Sequence, residues 1–128
     1  MGEMIARLVV HFDVAKTSQN ARKNFMAIHR ANKKAKLAAG EAWMVYGMPR
    51  FDFPVDILLI NCRTRTMDEF NFGGACKGII DGLFKDRITP DDSPEWVHFL
   101  PIEQRPDKSH KADPTVIVEV YRRGEDGE

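Results

Sequence analysis

Cysteine is scarce in this chain: there are two, Cys62 and Cys76, 14 residues apart and without a C-x-x-C pair. Two such thiols are what a reducing cytosol tolerates, and they say little more. Long apolar runs are missing too, and none approaches the roughly 18 residues of a spanning helix. Met1 to Phe12 carries Glu3 and Arg7 and no small-residue cleavage pattern, so no signal peptide is expected. His11, His29, His98 and His110 show no ligand spacing with one another or with the cysteines, which speaks against a zinc site. Net charge is also absent, since 19 Lys and Arg balance 19 Asp and Glu. Taken whole, that balance argues against a strongly basic nucleic-acid binder. What is present is 128 residues, 43% hydrophobic and 30% charged, enough for one domain with a core of its own.

The neutral total conceals a split. Residues 1–40 hold eight basic residues, Arg7, Lys16, Arg22, Lys23, Arg30, Lys33, Lys34 and Lys36, against Glu3 and Asp13, a net of +6. Residues 41–128 hold 11 basic against 17 acidic, a net of −6. From Val14 to Gly40 there is no acid at all. Such asymmetry points to a polyanionic partner or, more blandly, to a solvated basic helix face.

The pattern of side chains predicts an α+β domain with a mixed sheet, in the order β-α-β-α-β-β. Ile5 to Val14 is rich in β-branched and aromatic residues and reads as a first strand. From about Ala21 to Tyr46 the composition turns helical. Its apolar stripe of Phe25, Ile28, Leu37, Trp43 and Val45 is loose, which predicts one broken helix or two shorter ones ending at Gly47-Met48-Pro49. The continuous apolar run from Val55 to Arg63 predicts a central strand buried on both faces. Cys76, Ile79, Ile80, Leu83 and Phe84 recur at helical spacing, predicting an amphipathic helix from about Phe72 to Lys85. Gly74, Gly78 and Gly82 lie four apart along it, each costing about 1 kcal/mol against Ala. A smooth ridge for close approach of a strand or another backbone explains them. Trp96–Ile102 and Thr115–Tyr121 read as closing strands, with residues 103–114 a mobile hairpin loop and 124–128 a disordered tail.

Two acidic spots flank the second helix: Asp68-Glu69 before it and Asp91-Asp92 one turn after it. Clustered carboxylates are the usual ligands for Mg²⁺, alongside phosphate oxygens and water. Lys77 and Asp81, four apart, share the polar side of that helix, with Lys77 placed to reach a phosphate. Each element has an ordinary alternative. Asp68 suits a helix N-terminus; Ser93 and Pro94 suit a turn with a cap; Lys77 and Asp81 suit an exposed i,i+4 pair. Their joint order is what carries weight.

That order, Asp68-x-x-Asn71, Lys77, Asp81-Gly82-Leu83 and Ile88-x-x-Asp91-Asp92-Ser93-Pro94, resembles the RusA family of Holliday junction endodeoxyribonucleases of bacteria and their prophages. The family pattern is Asp-x-Asp-Asn, then a helix with an inward Lys and Asp-x-Leu, then an Asp-Asp pair past the next turn. The specific block spans Arg63 to about Val97, while the flanking elements are compatible. By this resemblance Asp68 and Asp92 are metal-binding carboxylates, Lys77 is the catalytic lysine, and Asn71 and Asp81 are supporting polar residues. Arg63 and Arg65, with the basic helix residues Arg30, Lys33, Lys34 and Lys36, are implied to touch DNA phosphates.

The resemblance further implies a cytoplasmic, homodimeric, Mg²⁺-dependent nuclease, with Mn²⁺ as the alternative ion, acting on four-way junctions in recombination and repair. A C₂ dimer matches the two-fold symmetry of such a junction. One position departs from the pattern. The motif's second Asp falls on Phe70, removing one charge and one oxygen ligand. Glu69, whose side chain on a regular strand points to the opposite face, and Asp91 are the candidate replacements. The alternative expectation is therefore a catalytically weakened relative that binds junctions. A third is an interaction domain with no nucleic-acid role.

Overall fold

In a computed structural model the chain is described over residues 2–13, 25–66 and 75–123. Strand β1 is Met4–His11, helix α1 Phe25–Val45, strand β2 Val55–Cys62 and helix α2 Lys77–Phe84. Strands β3 (Val97–Phe99), β4 (Glu103–Gln104) and β5 (Thr115–Arg122) follow, with a 3₁₀ turn at Lys108–Lys111 between the last two. The α+β class with a mixed sheet holds. The five strands run β1-β5-β2-β3, with β4 also on β2. β5 is antiparallel to both β1 and β2, whereas β3 and β4 run parallel to β2.

β2 is the central strand its apolar run predicts. Seven of its eight residues are buried and only Leu58 is partly exposed. Alternation assigns its faces. Val55, Ile57 and Leu59 join Leu8 and Val10 of β1, Val116, Val118 and Val120 of β5, and both helices in one core. Ile60, Cys62 and Ile117, with Val9 and Leu58, make a smaller cluster on the other face. Polar groups of that face pair among themselves. Asp56, 4% exposed, lies between His98 (3.3 Å) and Arg123 (3.4 Å), and the Tyr121 hydroxyl donates to Glu119 (2.6 Å).

Helix α1 corrects the expected break. It runs unbroken for 21 residues through Gly40, whose open side is filled by the Arg87 guanidinium. Its buried seam is not the loose apolar stripe but Ala31, Ala35, Ala39 and Ala42, while Leu37 and Val45 are 63% and 78% exposed. The reason lies in α2. A Cβ on Gly78 would stand 2.5 Å from the Asn32 carbonyl oxygen, and one on Gly82 2.8 Å from that of Lys36. The glycine ridge thus meets the alanine seam of α1, and side chains larger than Ala have no room between the two backbones. Gly74 lies outside the described residues. Arg87 fastens the pair, donating to the Gly82 carbonyl (3.0 Å) while its guanidinium stacks 5.3 Å from the Trp43 ring. α1 stops where Gly47 takes φ +88° and the Trp43 indole donates to the Pro49 carbonyl.

The closing segment differs most from expectation. The predicted strand Trp96–Ile102 is shorter: Val97–Phe99 pairs with the first half of β2 and Glu103–Gln104 with the second. Pro101 falls between them and has no N–H to give the ladder. The expected hairpin at 103–114 is not one, because β2 lies between β4 and β5. The segment instead rounds the end of β2, with Asp107 N–H donating to the Arg63 carbonyl and the Asp107 carboxylate accepting from Ser109 N–H. The tail at 124–128 lies outside the described residues. No helix among the described residues is long and apolar enough to cross a membrane.

Candidate nucleic-acid interface

The close contact of α1 and α2 decides which basic side chains converge. Burying the alanine seam turns residues 29, 32, 33 and 36 toward the rim of the α2 contact, as their i, i+3, i+4, i+7 spacing requires. There His29, Asn32, Lys33 and Lys36 of α1 face Lys77, Gly78 and Asp81 of α2 across a cleft of about 340 Å³. Lys77 is exposed and Cys76, just before it, is fully buried, so the start of α2 turns the lysine outward. Asp81 is not Lys77's partner but pairs with Lys85 at 3.5 Å, one turn further on. Arg30 and Lys34 are exposed on α1 and do not line the cleft. The basic helix is therefore divided between a cleft-facing pair and an outward pair.

After α2 the chain turns at Asp86, with φ +64°, and Ile88 N–H returns to the Leu83 carbonyl. Thr89, fully buried, places its hydroxyl 2.8 Å from the Asp91 carbonyl and 3.2 Å from that of Phe84. It thereby ties the Asp91-Asp92 turn to the end of α2. Asp91 is exposed and Asp92 half-buried. Ser93 does not cap a helix; its carbonyl accepts from Trp96 and Val97 N–H, closing one turn before β3. Thr89 carries no sequence signal for this role. His29 and Asn32 carry one in their spacing with Lys33 and Lys36.

The remaining predicted residues divide between placed and unplaced. Arg63, at the exit of β2, donates to Asp13 at 2.9 Å, and Arg65 is exposed beyond it. Asp68, Glu69, Phe70 and Asn71 lie outside the described residues. Among the described residues no group of three or more His, Cys, Asp or Glu is arranged to hold a metal ion. Asp91 and Asp92 form no ion pair there, and their carboxylate oxygens are donors of the type Mg²⁺ takes. Cys76 adds nothing as a nucleophile, since burial pushes its thiol far above the ordinary range.

Fold and cleft together define an α+β domain with two helices on one face of a mixed sheet and a cationic groove between them. Compared with family models, curated proteins and solved structures, the chain matches none.

Proposed function

We propose that this protein is a RusA-like, Mg²⁺-dependent endodeoxyribonuclease that resolves four-way DNA junctions as a cytoplasmic homodimer. The observation that carries the reading is the order Asp68, Asn71, Lys77, Asp81 and Asp91-Asp92 about one helix. Its support in three dimensions is that Lys77 stands exposed in a cleft it shares with Lys33 and Lys36. Asp68 and Asp92 would hold the metal, with Glu69 or Asp91 supplying the oxygen that Phe70 lacks. Bound there, Mg²⁺ supplies Lewis-acid polarisation and a more acidic water. Lys77 offsets negative charge gathering on the phosphoryl oxygens as water attacks. Lys33 and Lys36 hold neighbouring phosphates, while Arg30, Lys34, Arg63 and Arg65 add sequence-neutral attraction.

The test is cleavage of a synthetic four-way junction in Mg²⁺ or Mn²⁺. Asp92→Asn is expected to abolish nicking while leaving junction binding in EDTA intact. Lys77→Ala is expected to lower the single-turnover rate by about 10²–10³-fold, the scale of a lost transition-state donor. Cleavage unaffected by Asp92→Asn would sink the site assignment. Phe70 favours a second reading, a relative that binds junctions and cuts them poorly. On that reading the wild type binds branched DNA without nicking, and Phe70→Asp restores nicking.

A further inference from the structure

Among the described residues the α1–α2 cleft has more positive charge than its own carboxylates answer. Lys33, Lys36 and Lys77 face it from two helices, and none forms an ion pair among the described residues. The one carboxylate among its described lining residues, Asp81, is already engaged by Lys85. Three like charges on side chains that line one concave surface repel one another, and the packing of the two helices is what brings their backbones together there. Among the described residues the cationic side chains lining the cleft outnumber its carboxylates, which suits an anionic ligand. At about 340 Å³ it falls in the range of ligand pockets, about 300–1,000 Å³.

We propose that this cleft is a discrete phosphate subsite, with Lys33, Lys36 and Lys77 as its donors, separate from the exposed Arg30 and Lys34 side of α1. The chemistry fits a tetrahedral anion. Three ammonium groups offer up to nine donors without the planar fork that would select a carboxylate. The subsite couples the two helices, because Lys77 belongs to α2 and both other lysines to α1. An occupying phosphate bridges them at the rim of the glycine–alanine contact. This rests on the DNA reading above for its natural occupant, the DNA backbone at the phosphodiester attacked, which Lys77 meets, and at its neighbour, which Lys33 and Lys36 meet. A free phosphate would use the same donors.

Two measurements separate the subsite from that reading. In the first, a labelled four-way junction is titrated in EDTA with wild type, Lys33→Ala/Lys36→Ala and Arg30→Ala/Lys34→Ala. Both double variants remove two charges from exposed positions of one helix, and circular dichroism verifies that each folds. The cleft-facing pair is expected to weaken binding tenfold or more, and at least threefold more than the outward pair. In the second, inorganic phosphate is titrated into labelled protein by NMR. Saturable shifts are expected at Asn32, Lys33, Lys36 and Lys77, and their loss in Lys33→Ala/Lys36→Ala. Equal losses for the two pairs, or non-saturable phosphate shifts, would overturn the subsite while leaving junction binding and cleavage to stand. Saturable phosphate binding with no affinity for DNA at low salt would retain the subsite and remove the DNA reading.

Discussion

Cys76 ends its stretch of chain facing the core, and that burial sets both the direction of Lys77 and a pH dependence of folding. With no exposed surface, its thiol is pushed far above the ordinary value by the cost of burying a thiolate. An unfolded chain exposes the same thiol, which loses its proton above about pH 8.5. The native state keeps that proton, so above this pH the unfolded state binds fewer protons and stability falls as pH rises. The slope should steepen through this range toward about 1.4 kcal/mol per pH unit well above pH 8.5. Urea midpoints taken from pH 7.5 to 9.5 measure it, and Cys76→Ala should flatten the slope while lowering stability throughout. The window stops short of pH 10 because Tyr121 acts in the same direction from there. Its hydroxyl donates to Glu119, and that bond together with burial raises the phenol above its ordinary value. Across the same range both cysteines should resist an aromatic disulfide reagent until the protein is unfolded, since both are buried and free.

Between elements, the contact of α1 with α2 is where the proposed function and stability meet. Gly→Ala in a helix ordinarily stabilises by about 1 kcal/mol. Here the added methyl of Gly78→Ala would meet Asn32 backbone at 2.5 Å and the Ala35 methyl at 2.9 Å. That of Gly82→Ala would meet the Lys36 carbonyl and the Ala39 methyl at 2.8 Å each. Backbone at that distance cannot yield as a flexible side chain would, so each variant should lose about 1–3 kcal/mol in denaturant unfolding. A net gain from either would show that the helices separate freely. The sequence made the ridge legible, because three glycines at i+4 spacing in a helix ask for a close neighbour. It did not name α1 as that neighbour, because an alanine seam contributes little to any hydrophobic stripe. For the same reason Leu37 and Val45 read as core and prove exposed. β2 was legible because burial on both faces leaves an uninterrupted apolar run. The β3–β4 edge was not, because parallel pairing to β2 depends on distant residues and Pro101 divides the run. In the cleft, Lys77 and Asp81 were legible as one face of a helix. Choosing Lys33 and Lys36 over Arg30 and Lys34 required the rotation of α1, which that alanine seam sets.

At the scale of the whole molecule the balance of charge is the wrong quantity to read, because the fold does not average it. The +6 of residues 1–40 includes the exposed lysines of α1, while the −6 of the remainder includes the Asp91-Asp92 turn. A polyanion meeting the α1 side encounters a local field unlike the neutral total, and salt is the way to measure it. Each phosphate neutralised contributes about −0.9 to the slope of log affinity against log salt concentration. Eight basic residues in residues 1–40 therefore bound that third's contribution at roughly −7. Reversing Lys33, Lys34 and Lys36 to Glu takes the net charge from zero to −6. All three are exposed, so the fold should persist with little change in its melting midpoint. Junction affinity in EDTA should fall at least a hundredfold, and the slope should flatten by about three from lost contacts alone. Sedimentation of the same variant should still give the wild-type mass, which separates loss of DNA contact from loss of assembly. An unchanged affinity would mean that the basic third is only a solvated face, and the protein would then be an interaction domain for some other partner.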